Sequence, residues 1–396
     1  MLRPMSFEDD LDERLRELTA RGLLRDPPAL DGAARREGRA GERDVVVFCS
    51  NDYLGLAGHP MLVAALRGGA EAHGAGAGAS RLISGTHIAH RAAEQDLAAW
   101  VELPAALLFS SGYAANVGAL STLVGPGDVA FSDRLNHASV IDGLRLSRAT
   151  VHVYEHRDTA HLAALLEAHR PLGKRALIAT DTLFSMDGDL ADLSVLRGLA
   201  DRHDAALYVD EAHALGVLGA GRGACHDAGV RPDVLVGTLG KAFGLSGAFV
   251  AGSARLRALL ENRARSYVFS TAPPPAIAAA VRAAVALVAG GADARARALR
   301  HADRVRAQLR RDGWQVLDGR SSIVPVIVGD PAATMAASRA LLERGYFVQG
   351  IRPPTVPPGT SRLRVVPTAA HTDAQVDGLL AAFAALRAAR PLAGAR

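Results

Sequence analysis

Lysine is nearly absent from this chain. Its 396 residues include two, Lys174 and Lys241, and arginine carries the rest of the positive charge. Cysteine is as scarce: Cys49 and Cys225 are too few and too far apart for a disulfide framework or a cysteine zinc site, which suits a reducing compartment. Aromatics make up 5%, and no Lys/Arg block has aromatics threaded through it. The formal charge of +4 therefore reads as a dispersed surface and not as a nucleic-acid footprint. There is no long apolar run. The most apolar candidate helix, Ala276 to Gly290, is short and interrupted by Arg282, which excludes a bilayer span. The opening MLRPMSFEDDLDERL brings Glu8, Asp9 and Asp10 early and has no apolar centre, so it reads as neither a secretory signal nor a transit peptide. The expectation is a cytoplasmic protein that binds neither membrane nor nucleic acid.

The length allows a large core with a smaller appendage. Residues 8 to 25 read as a charge-paired amphipathic helix, followed by a polar Gly/Arg/Pro stretch to about Arg43. Short apolar runs then recur: ALLF (106–109), DVAF (128–131), TVHVY (150–154), ALIAT (176–180), ALYVD (206–210), DVLVGT (233–238) and GAFVAG (247–252). Helix-period segments rich in Ala and Leu separate most of them. That alternation predicts an α/β fold, a mainly parallel sheet covered by helices. After PPP at 273–275 the pattern changes to a long helical stretch, then WQVL, IVPVIV, YFVQGI and RLRVVP, which read as strands of a smaller α+β unit. The expected division is an N-terminal helical segment at 1–45, a large α/β domain at 46–275 and a small C-terminal domain at 276–396.

In open α/β sheets, ligands bind outside the carboxyl ends of the strands. Polar motifs stand at those ends here: SSGYAAN, SDRLNHAS, DTLFSMDGD, DEAHALG and TLGKAFG. DEAH with GK suggests a nucleotide motor, but Leu235 occupies the place of the first P-loop glycine and Ala242 follows Lys241. A different chemistry requires an amine. Lysine can lose its proton and bond to an aldehyde, whereas guanidinium stays protonated. In a chain that otherwise uses arginine, Lys241 at a strand end fits that need, with a helix-capping or phosphate-contact role as the alternative. Asp210, at the end of ALYVD, is placed to keep the nitrogen of a pyridoxal phosphate ring protonated, though an aspartate after a strand is also a common helix N-cap. His213 can bond a ring hydroxyl or serve the local structure. His137 offers a face for stacking or is an ordinary loop histidine. Gly112 and Tyr113 at a helix start suit a phosphate. No histidine or acidic spacing matches a zinc site, and no metal is expected.

Taken together, SNDYLGLAGHP, GAGASRLISGTHIAH, SSGYAAN, NHAS, FSMDGD, VDEAHALGVLG, GTLGKAFG and IRPPTVPPGTSRLR resemble the α-oxoamine synthases, a family of fold-type I enzymes dependent on pyridoxal 5'-phosphate. The resemblance runs in order from about Asn51 to Arg364. It implies a mainly parallel seven-stranded central sheet with helices on both faces and a smaller C-terminal α+β domain. It also implies a shared-site homodimer and a decarboxylative condensation of an amino acid with an acyl thioester. The segment IRPPTVP is most similar to the biotin-pathway member, whose substrates are L-alanine and a pimeloyl thioester of coenzyme A or an acyl carrier protein. Glycine- or serine-using members are the alternative.

On this resemblance Lys241 binds the cofactor covalently, Asp210 partners the ring nitrogen, His213 contacts the ring hydroxyl and His137 stacks. Ser185 and Thr238 match ring and phosphate contacts, Gly112 and Tyr113 the phosphate loop, and Thr271 a residue reaching the neighbouring subunit's phosphate. Arg364 matches the arginine that holds the amino-acid carboxylate. Asn51, Arg352 and Thr355 fall in substrate-contacting segments, and Arg25 is a candidate for a distal carboxylate. One departure stands out: Asp181 occupies a position where relatives commonly carry glutamate.

Overall fold

The computed structural model describes residues 6–25, 29–31 and 37–389; residues 1–5 of the opening stretch lie outside these. The seven apolar runs form one sheet. In chain order its strands are β1 (Ala105–Phe109), β2 (Val129–Asp133), β3 (Thr150–Tyr154), β4 (Ala176–Asp181), β5 (Ala206–Asp210), β6 (Val234–Thr238) and β7 (Ala248–Gly252). Their spatial order is β1-β7-β6-β5-β4-β2-β3. Only β7 runs against its neighbours, so the expected mainly parallel seven-stranded sheet is what forms.

The central strands read as continuous apolar runs because both faces are covered. Side chains alternate between faces with period two, and the core divides accordingly. Leu108, Phe131, Ile178, Leu207, Val209 and Leu235 pack on one face. Leu107, Ala130, Leu177, Ala179, Tyr208 and Val236 pack on the other. Helix α1 (Gly112–Leu123) lies over this second face, contributing Ala115, Ala119 and Leu120. Beside it lies α2 (Ala138–Ser147), which adds Val140 and Leu144. By alternation, Asp181 and Asp210 project on the face that α1 covers.

The helix Pro275–Ala289 buries Ala278, Ala280, Val281, Ala284 and Val288 in the core of the first face. A separate core joins Ala302, Val305 and Leu309 of the helix Ala292–Arg311 to an antiparallel sheet. That sheet is ordered Gln315–Val316, Val324–Gly329, Ser361–Val365, Gln349–Ile351. Phe48 belongs to the same core, and Arg43–Val47 pairs in parallel with Tyr346–Phe347. The stretch before residue 48 is thus tied to the C-terminal unit. Among its described residues it is helical only at Phe7–Ala20, which buries no side chain, and Glu37–Ala40 turns back on Arg43–Val47 as a hairpin. Among the described residues no single helix is long and apolar enough to cross a membrane.

Candidate active site

The ends of β4, β5 and β6 and the loops after them bring the strand-end motifs together. Lys241 follows β6 in a turn, with no helix to cap. Gly244 in that turn has φ +66°, and a Cβ there would sit 2.5 Å from the amide nitrogen of Ala57. Only glycine lets this turn press on the loop that carries Asn51 and Tyr53. As a result the Lys241 Nζ stands 2.8 Å from His213 Nε2, and His213 Nδ1 stands 2.6 Å from the Tyr53 hydroxyl. That hydroxyl donates to Asn51 Oδ1 at 3.3 Å.

Burial lowers the proton affinity of Lys241 while Asp210 and Asp181 raise it and Arg364 lowers it, and the balance falls at about 8. His213 is pushed well below its ordinary value by burial and by the Lys241 and Arg364 charges. A neutral imidazole has one acceptor nitrogen. The lysine ammonium donates to Nε2, so Nδ1 carries the proton and donates to Tyr53. The sequence alone does not single out Tyr53, although it lies within SNDYLGLAGHP.

Asp210 is buried, and no helix starts from it. Its Oδ1 accepts the amide of Ala212 at 2.9 Å and its Oδ2 accepts Asn116 Nδ2 at 2.7 Å. His137 is an exposed residue and the N-cap of α2, its ring nitrogen accepting from the first turn of that helix. Ser139 holds that ring from behind: its amide donates to Nδ1 at 3.3 Å and its Oγ lies 2.7 Å from the same atom. Arg364 is 5% exposed, and its Nε donates to the carbonyl of Ser185 at 2.6 Å. Its Nη2 is buried without a partner, as is Asp181 Oδ1. Thr238 closes β6 with its hydroxyl donating to Gly247 O at 3.2 Å. At the start of α1, the amides of Gly112 and Tyr113 belong to the first turn, where no intrahelical carbonyl can reach them. The Tyr113 phenol turns outward to Asp142.

Other expected residues stand apart from this cluster. Thr271 is exposed and bridges to Ser80. Arg25, Arg352 and Thr355 line a groove of about 610 Å³ together with Phe347, Gln349 and Ile351. There Arg25 Nη2 donates to Thr355 Oγ1 at 3.4 Å, and Arg352 Nη2 donates to Leu24 O at 2.7 Å. The groove borders the cluster because Gln349 pairs in register with Arg364.

The loop that carries Ser185 is pinned by His156, whose Nδ1 lies 2.9 Å from Asp133 Oδ1 and whose Nε2 lies 3.0 Å from Asp189 Oδ2. Burial alone would lower its proton affinity, but the hydrogen bonds and charges of Asp133 and Asp189 carry it up to about 9. The folded chain therefore binds more protons than the unfolded chain between about 6.5 and about 9. Stability from this cation is fully present below about pH 6.5 and is lost as pH rises through about 9, amounting to about 3 kcal/mol at most. Urea titrations from pH 6 to 10 should show that decline in the natural chain and lose most of it in His156→Gln. An equal slope in both would refute the assignment.

The fold and this cluster define a class, and residues 43–383 match its family model, aminotransferase class I and II. The chain belongs to that family. Within it, the chain is 51% identical over 391 residues to an 8-amino-7-oxononanoate synthase of Anaeromyxobacter dehalogenans, covering 98% of each chain. It is 50% identical over 377 residues to an enzyme of the same name from Burkholderia cenocepacia, covering 93% of this chain and 92% of that one. Among solved structures, a serine palmitoyltransferase from S. paucimobilis with PLP and myriocin bound as an aldimine superposes with a TM-score of 0.90. It is 30% identical, over 98% of this chain and 99% of that one.

Proposed function

We propose that this protein condenses L-alanine with a pimeloyl thioester, carried on coenzyme A or an acyl carrier protein, to give 8-amino-7-oxononanoate, carbon dioxide and the free thiol. The observation that carries the reading is the buried Lys241 amine, held 2.8 Å from neutral His213 and within the fields of the Asp210 carboxylate and of Arg364. The name shared by relatives at about half identity favours it over the serine-using reaction, whose enzyme is 30% identical.

The residues fit pyridoxal 5'-phosphate. Lys241 would hold its aldehyde, Asp210 its ring nitrogen, His213 its hydroxyl and His137 its face, with Ser185 a ring contact. Thr238 and the first-turn amides at Gly112 and Tyr113 would hold its phosphate. Bound there, the group supplies an electrophile for amines and an electron sink for the carbanion left at the alanine α-carbon.

The chain's own residues do the rest. With its proton affinity at about 8, Lys241 is partly neutral near pH 7.5. It can act as a nucleophile, take the α-proton of alanine and return a proton after decarboxylation. Asp210 keeps a proton on the ring nitrogen. Arg364 binds the alanine carboxylate in the two-pronged geometry that guanidinium allows. The groove lined by Arg25, Arg352 and Thr355 takes the acyl chain, and its arginines receive the distal carboxylate. Asn51 steadies the Tyr53 hydroxyl behind His213.

The site is completed in a homodimer. Thr271 supports this, since it lies exposed on a surface with the outward-turned Ile83, Ile88 and Phe269, where a second copy can place it at the other phosphate. Assaying alanine, glycine and serine against acyl thioesters tests the reaction; a strong preference for glycine or serine would overturn it. Light scattering on the same active preparation should give a dimer, and a monomer that turns over would remove Thr271 from the site.

A further inference from the structure

Asp181 and Asp210 close adjacent parallel strands in register, with Ala179 opposite Tyr208 and Asp181 opposite Asp210. Both carboxyls project on the face that α1 covers, and both residues are buried, at 5% and 6% exposure. Two buried carboxyls this close do not both ionise. Which one keeps the charge follows from the donors each receives.

Asp210 has two, the amides of Ala212 and of the Asn116 side chain. The Asn116 amide is fixed in orientation from three sides. The Tyr208 hydroxyl donates to its Oδ1 at 2.6 Å, and burial with the nearby Asp210 charge holds that phenol protonated. The other Asn116 N–H goes to Ser139 Oγ at 2.8 Å, leaving the serine proton for His137 Nδ1. Reversed, the amide would set its oxygen against the Asp210 carboxylate and leave Tyr208 without an acceptor. Asp181 Oδ1, by contrast, has no partner. Around Asp181, the Lys241 cation and the His137 amide favour its ionised form while Asp210 and Asp133 oppose it, and burial outweighs them all, so its carboxyl lies well above the ordinary range.

We propose that Asp181 works as a neutral carboxylic acid, an O–H donor to the bound cofactor beside Asp210, and that Asn116 is the positioning residue that keeps the single negative charge on Asp210. The cofactor contact rests on the function proposed above; the placement of proton and charge does not.

Asparagine is the neutral isostere of a protonated aspartate, and that makes the test. In PLP titrations of the full chain followed by absorbance, Asp181→Asn should leave the dissociation constant within about threefold. Asp181→Leu should raise it about tenfold, the effect of one lost buried hydrogen bond. Infrared difference spectra of the cofactor-free protein at pH 7, natural chain minus Asp181→Asn, should show the carbonyl stretch of a protonated carboxyl. Asn116→Ser should shift or weaken that band. If Asp181→Asn weakens PLP binding as much as Asp181→Leu, or if Asp181→Leu binds like the natural chain, the donor role is wrong. Absence of the carboxyl band refutes the protonation pattern, and a band unmoved in Asn116→Ser removes Asn116 from it. A chain that binds no PLP in any form overturns the cofactor contact and the proposed function together, while the infrared result still decides the proton's place.

Discussion

Lys241→Ala should lower turnover by about 10³-fold or more, the scale expected when a group that acts as both nucleophile and general base is removed. Sodium borohydride should no longer fix pyridoxal to the peptide around residue 241. Nothing nearby can replace the amine. The only other lysine, Lys174, is exposed in the turn before β4, beside Gly127. His213 cannot take over this role, because an imidazole nitrogen has no second proton to lose and so cannot form an imine with an aldehyde. Lys241→Arg should fail as badly, since it restores the charge but not a removable proton. It thereby separates chemistry from electrostatics: an arginine variant that keeps substantial turnover would show that position 241 needs only a cation. Mass analysis of the reduced protein and single-turnover kinetics with alanine provide the measurement. Pyridoxal still attached at that peptide, or unchanged turnover, would remove Lys241 from the centre of the reaction.

The scarcity of lysine makes Lys241 legible in the sequence itself, because a residue kept against the composition of the chain signals its chemistry. The sheet is legible for a related reason. Strands buried on both faces must be apolar throughout, so the central strands appear as separate apolar runs, and Asp133, Asp181, Asp210 and Thr238, which end β2, β4, β5 and β6, mark the rim of the sheet. Asn116 is not legible in the same way. It lies inside a helix with an unremarkable period, and its partners Tyr208 and Asp210 are 92 and 94 residues away. No local pattern records such a contact. Tyr53 is hidden likewise, 160 residues from His213, and so is the pairing of Arg43–Val47 with Tyr346–Phe347. Asp181 shows in the sequence only as a shortened side chain. Its meaning comes from the register of β4 against β5, which sets it beside Asp210.

That register also governs what Asp210→Asn should do. The asparagine oxygen can still accept the Ala212 amide, but its NH2 replaces the oxygen that accepts from Asn116, so one buried hydrogen bond is lost while the fold around β5 holds and melting falls by a few degrees. What disappears is the negative charge. Breaking a buried ion pair from one side costs roughly 3–5 kcal/mol. If that loss falls on the carbanion stage, where a protonated ring nitrogen matters most, turnover drops by about 10² to 10⁴. Without its like-charged neighbour Asp181 should ionise more readily, but a charge on the adjacent strand does not restore the partner of the ring nitrogen. Arg364 is untouched, still anchored on Ser185 O, so the KM for alanine should change far less than kcat. Steady-state kinetics with alanine varied at saturating thioester reads both quantities. A kcat within tenfold of the natural chain, or a loss confined to KM, would mean that the ring nitrogen takes its proton from some other group and that the carboxylate of Asp210 is there to hold Asn116 and α1 in place.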